Sequence, residues 1–93
     1  MNASAIGDMV QCMALSKHHS LIVTGNAHGM VTTWDLETAK IMHVHQASSE
    51  KITMLGFGGT YPILFCASED GSFSAWATKT SPVQHRYSCL ARF

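Results

Sequence analysis

One stretch of this 93-residue chain occurs twice, and the recurrence constrains everything else. Asn26-Ala27-His28-Gly29-Met30-Val31-Thr32-Thr33-Trp34-Asp35 returns as Ser68-Glu69-Asp70-Gly71-Ser72-Phe73-Ser74-Ala75-Trp76-Ala77, and the steps Gly29 to Gly71 and Trp34 to Trp76 are both 42 residues. Sliding the chain by that step, without a gap, sets Val10 on Ile52, Met13 on Leu55, Leu15 on Phe57, and Leu21-Ile22-Val23 on Ile63-Leu64-Phe65. It also sets Val31 on Phe73, Thr38 on Thr80, Ile41 on Val83 and His43 on His85. Apolar positions therefore keep phase through strands and turns alike. A period of roughly 40 to 45 residues marks stacked units, each of which buries its apolar face only against a neighbour.

The unit is built of short strands. Val10 to Leu15 alternates loosely and stops at the polar break Ser16-Lys17-His18-His19-Ser20. Leu21-Ile22-Val23-Thr24 is rich in β-branched residues, and Gly25-Asn26-Ala27-His28-Gly29 supplies the Gly and Asn that a tight turn needs. Met30 to Trp34 returns as a third strand, with Val31 and Thr33 on one face and Met30, Thr32 and Trp34 on the other. After the polar connection Leu36 to Lys40, Ile41 to His45 is a fourth, less apolar strand at the sheet edge. The second unit repeats the scheme with Ile52–Phe57, Ile63 to Ala67, Phe73 to Trp76 and His85 to Leu90, with a hairpin turn at Glu69-Asp70-Gly71-Ser72. Apolar spacings of three and four are never sustained, so no helix is expected.

With Trp34-Asp35 behind a turn and a β-branched strand, and Ser68-Glu69-Asp70-Gly71 ahead of Trp76, the chain resembles the WD-repeat family of β-propellers from about Val10 onward. The resemblance implies blades of four antiparallel strands, the first lining a central channel and the fourth outermost. It implies, too, a buried hydrogen-bonded set in each blade: a His before the first strand, a Ser or Thr in the second, an Asp in the next turn and the Trp of the third. Thr24 and Trp34 match in the first unit, where His28 stands in place of the Asp. Asp70 and Trp76 match in the second, with His45 the candidate leading His and Cys66 standing where the Ser or Thr would be. Asp35 follows the first Trp, and Ala77 replaces it after the second. Tyr61-Pro62-Ile63-Leu64-Phe65 together with Tyr87-Ser88-Cys89-Leu90-Ala91-Arg92-Phe93 is similar to large axonemal WD-repeat proteins.

The residues support these roles on physical grounds as well. A buried Trp has one N–H that needs an acceptor, which a turn Asp or a neighbouring hydroxyl can supply. Loss of either Trp is expected to cost about 3–5 kcal/mol. Gly29 and Gly71 are expected at positive φ.

Bulk properties narrow the functional classes. Six Lys plus Arg balance six Asp plus Glu with no basic block, so neither nucleic acid nor an anionic membrane surface is an expected partner. Cys12, Cys66 and Cys89 are odd in number and dispersed, which does not read as a disulfide framework. No signal-peptide pattern and no run of 18 apolar residues is present, and a reducing, cytoplasmic setting is expected. His43-x-His45 and His85 could chelate a metal, but no Cys-x-x-Cys accompanies them, and outer-strand histidines are the reading taken. Gly56-Phe57-Gly58-Gly59 lacks a following Lys-Ser/Thr and a helix, so it reads as a strand end and not as a phosphate loop. Tyr61-Pro62 could be a docking aromatic pair and is read as loop packing instead; Tyr87 is the other candidate.

The expectation is therefore all-β: two four-stranded antiparallel blades of a WD-repeat β-propeller in an incomplete ring. Residues 1–8 form a lead-in or the remnant of a preceding strand, 9–47 the first blade and 48–93 the second. Both ends look cut, so flanking units, or blades of an assembly, should complete the ring, and the isolated chain should aggregate or stay partly unfolded. The expected function is a non-enzymatic protein-interaction scaffold whose partners are other blades or protein subunits, without cofactor, metal or small-molecule substrate. The alternative is a structural component of a ciliary, axonemal or other cytoskeletal lattice.

Overall fold

Each apolar run becomes a strand and each polar break a turn. The computed structural model describes residues 10–61, 63–79 and 86–92, the last stretch and residues 78–79 as backbone alone; the readings made for the lead-in 1–8, for Pro62 and for His85 fall outside them. The strands are β1 Val10–Ser16, β2 Leu21–Asn26, β3 Met30–Asp35, β4 Ile41–Gln46, β5 Ile52–Phe57, β6 Ile63–Ser68, β7 Phe73–Lys79 and β8 Arg86–Arg92. They form two antiparallel four-stranded meanders, β1-β2-β3-β4 and β5-β6-β7-β8. Both break register at the same place in the unit, between Val10 and Cys12 and between Ile52 and Met54, so the period extends to the bulges.

Several boundaries differ from the sequence reading. β2 and β6 run on to Asn26 and Ser68, and β7 continues past Trp76 to Lys79. Gly25 is thus a strand residue paired with Val31, not part of the turn. Its small size serves packing: a Cβ there would lie 2.6 Å from Ile52 Cγ2, so Gly25 is where the second sheet presses on the first.

Strand alternation gives each sheet two faces. In the first sheet Cys12, Ala14, Val23, Gly25 and Val31 share one face, and Met13, Leu15, Ile22, Thr24 and Trp34 share the other. In the second sheet Leu55, Phe57, Leu64, Cys66 and Trp76 share a face. The sheets stack with β1 and β2 against β5, joining Val23, Val31, Ala47, Ile52, Leu55, Leu64, Cys66 and Trp76 in one core flanked by Cys12, Ala14 and Phe57. Val23, Val31, Ile52 and Leu64 are fully buried, each contributing about 1.5–3 kcal/mol of transfer free energy. Stacking between units, rather than either sheet alone, supplies this core.

Candidate functional site

Three segments converge at one end of the stack: the β2–β3 turn, the connection between the sheets, and the β6–β7 turn. Asn26 shapes the first, its Oδ1 accepting from the N–H of His28 at 2.9 Å and of Met30 at 3.0 Å. Gly29 follows at φ 80, and its carbonyl accepts from the N–H of Ala47 at 2.9 Å and of Ser48 at 3.3 Å. A Cβ on Gly29 would come 1.9 Å from the Ser48 carbonyl oxygen, so the connection lies directly on this glycine. Gln46 completes the clamp, its Nε2 donating to the carbonyls of His28 and Ser48.

The same connection is tied to the second sheet. The Ser48 and Ser68 hydroxyls are 2.7 Å apart in a buried setting, Glu50 N–H donates to Ser48 Oγ at 3.2 Å, and Glu69 N–H donates to the Lys51 carbonyl at 2.8 Å. Lys51 and Glu69 add an exposed ion pair at 3.1 Å. Asp70 is fully exposed and builds its own turn by accepting the Ser72 N–H at 2.8 Å. Its pKa is held below the usual carboxylate value by the hydroxyl and N–H of Ser72, with Ser68 and Ser48 adding to the effect against a smaller opposing effect of burial. Gly71 sits at φ 88 with open space around it. Ser48 and Ser68 were missed from sequence; Ser48 sits in a polar connection with nothing local to distinguish it from Ser49.

The tryptophans find different acceptors. Trp34 Nε1 donates to Thr24 Oγ1 at 3.2 Å across the β2–β3 ladder, whereas Trp76 Nε1 donates to Ser74 Oγ at 2.7 Å within its own strand. Cys66 faces Ser74 across the ladder and is buried in the core. His28 is exposed, Thr24 lies among the half-buried residues, and Asp35 caps the β3–β4 turn, its carboxylate accepting from Glu37 N–H at 3.1 Å and Thr38 Oγ1 at 3.0 Å. His45 crosses between sheets: its ring centroid lies 4.6 Å from that of Trp76 and 5.6 Å from that of His43. Burial lowers its pKa to about 4, and repulsion from His43 adds to the effect.

The opposite end carries the β1–β2, β3–β4 and β5–β6 turns. His19 Nε2 lies 3.2 Å from the Thr60 carbonyl, which joins the two sheets there as well. Tyr61 is 70% exposed, which corrects its reading as loop packing. The hydrogen bonds from Tyr61 N–H to Gly58 and from Ile63 N–H to Tyr61 close the turn through the backbone and leave the ring in solvent. Among the described residues no group of three or more His, Cys, Asp or Glu converges as a metal site, and no helix is long and apolar enough to cross a membrane.

Two four-stranded meanders, stacked through β1 and β2 against β5 and joined from the last strand of one to the first strand of the next, match consecutive blades of a WD40 β-propeller. The chain has that fold. The β-propeller domain of Cps50 (Swd1) from Myceliophteria thermophila superposes with a TM-score of 0.81 over 91% of this chain and 27% of that one, at 15% identity. The WD40 repeats of RRP9 superpose with a TM-score of 0.73 over 89% of this chain and 24% of that one, at 18% identity. By sequence, the chain is 27% identical over 73 residues to the pre-rRNA-processing protein crb3/ipi3 of Schizosaccharomyces pombe, and 27% identical over 75 residues to NACHT domain- and WD repeat-containing protein 1 of Mus musculus. These alignments cover 78% and 80% of this chain but only 16% and 5% of the relatives' lengths. No family model matches the chain.

Proposed function

We propose that the protein is a non-enzymatic protein-interaction scaffold that docks partners on the turn-bearing ends of its blade stack. The observation that carries this reading is the contrast between the turns' fixed backbones and their exposed side chains. The Gly29–Ser48 clamp and the Ser48–Ser68 pair hold one end rigid while His28, Glu50, Glu69 and Asp70 face solvent; Tyr61 does so at the other end. Rigid presentation lowers the ordering cost of docking. Balanced charge favours protein surfaces over nucleic acid, and of the two relatives one is named for pre-rRNA processing and the other for its domains, so they support a shared framework more than a shared partner. The reading places the protein in a reducing compartment such as the cytoplasm, where Cys12, a thiol 3.6 Å from the Ile52 carbonyl, stays intact.

The test compares quantitative affinity capture by the native chain with capture by two surface variants that keep the native unfolding midpoint, Glu69→Lys/Asp70→Lys at one end and Tyr61→Ala/Lys17→Glu at the other. Loss of a defined set of proteins with one variant is the expected result. Retention of every captured protein by both variants defeats the proposal.

A further inference from the structure

Two turns meet at the end of the stack that carries Tyr61, and no acidic residue lies on either. The β1–β2 turn reads Lys17-His18-His19-Ser20 and the β5–β6 turn Gly58-Gly59-Thr60-Tyr61. His19 fastens them together, its Nε2 lying 3.2 Å from the Thr60 carbonyl, and the edge-on contact of the two imidazoles at 4.9 Å sets His18 beside it. Lys17, His18, Gly59, Thr60 and Tyr61 are exposed. The backbones beneath are closed by bonds from His19 N–H to Ser16 Oγ at 3.2 Å, from Ser20 N–H to the Lys17 carbonyl at 3.2 Å and from Tyr61 N–H to the Gly58 carbonyl at 3.1 Å. The paired turns therefore offer solvent an ammonium, imidazoles, hydroxyls and one aromatic ring on a fixed frame.

The formal net charge of zero hides an uneven division between the ends. The neighbouring β3–β4 turn at this end adds Glu37 and Lys40, which offset each other, and Asp35, whose two carboxylate oxygens are taken up by Glu37 N–H and Thr38 Oγ1. The β7–β8 ladder reaches the same end at the pair Lys79–Arg86. At the opposite end Glu50, Glu69 and Asp70 outnumber Lys51 and Arg92. A partner segment rich in carboxylates is drawn to the first end and repelled from the second, which decides where it docks. We propose that the paired turns bind such an acidic segment of a partner protein, its carboxylates accepting from Lys17 and His18 while one of its apolar side chains rests on the Tyr61 ring. The inference rests on the reading of this end as a docking surface and adds the chemistry that docks there. It holds whatever lies against the faces of the two sheets, because the groups it uses stand on the turns.

Fluorescence anisotropy of a labelled dodecapeptide of Glu and Gly around one central Leu measures this binding. Affinity should fall as salt rises, and a matched peptide with Lys in place of Glu should not bind. Lys17→Glu should weaken binding by about tenfold and flatten its salt dependence, whereas Tyr61→Ala should weaken it by about fivefold at an unchanged salt dependence. Both residues are exposed, so both variants should keep the native unfolding midpoint, and Glu69→Lys/Asp70→Lys at the other end should not weaken binding. No binding by the native protein, equal affinity in the native protein and both variants, or equal binding of the Lys peptide overturns the proposal. Tighter binding of a single-stranded oligonucleotide or of phosphatidylserine vesicles than of the acidic peptide overturns it as well, by moving the patch to another class of partner. Docking at this end and its acidic chemistry fail separately. Proteins captured by the native chain, lost with Tyr61→Ala/Lys17→Glu and not displaced by the acidic peptide would uphold the docking and overturn the acidic partner.

Discussion

Gly29 and Gly71 hold equivalent places in the repeat and both have positive φ, yet their surroundings differ. At Gly71 an added methyl meets nothing within 4 Å, so Gly71→Ala should cost only the left-handed backbone penalty of about 1–2 kcal/mol. At Gly29 the same methyl meets the Ser48 carbonyl, and the connection must move in addition, so Gly29→Ala should cost about 3 kcal/mol or more. Urea midpoints of the two variants give the comparison, and equal costs would contradict the clamp. The tryptophans part in the same way. Trp76 is 8% exposed in the core between sheets, so Trp76→Phe should destabilise more than Trp34→Phe, whose ring is half-buried on an open face. The expectation of equal costs rested on equal sequence roles; the unequal burial comes from which face of each sheet has a neighbour.

The turns carry their own stabilising groups, and these differ between repeats. Asp35 holds the β3–β4 turn with both carboxylate oxygens, while the equivalent Ala77 offers none. Asp35→Ala should therefore cost about 1 kcal/mol, read as a lowered thermal midpoint. The strand order and the two Gly turns were legible because period-two alternation and positive-φ residues are local signals. Gly25 was misplaced into the turn because its small size answers to Ile52, far away in the chain. Ser48 and Ser68 were invisible for the same reason, since their meeting depends on how the connection crosses the second hairpin. The sequence left the acceptor for Trp76 between a turn Asp and a neighbouring hydroxyl, and choosing Ser74 over Asp70 required coordinates.

At the scale of the stack, His45 links protonation to the join between the sheets. Its ring lies against Trp76 with His43 beside it, and its pKa falls from 6.5 to about 4. A lowered histidine value means that the unfolded chain takes up a proton before the folded one does. The contribution of neutral His45 is therefore full above pH 6.5 and is lost as pH falls towards 4, by at most about 3 kcal/mol. Unfolding midpoints at pH 7.0 and 4.5 should diverge for the native protein and draw together for His45→Gln; parallel pH profiles would remove His45 as the cause. The connection at 47–51 has a consequence for how such a chain can be rebuilt. It is the covalent joint between two copies of a repeat, yet it holds parts of both, pinned to Gly29 on one side and to Ser68 and Glu69 on the other. A recombination junction placed there would separate each unit from half of its own fastening, and an inserted domain would pry the two apart. Units of this protein can be duplicated or exchanged only as overlapping segments, each carrying the joint together with the hairpins on both sides of it.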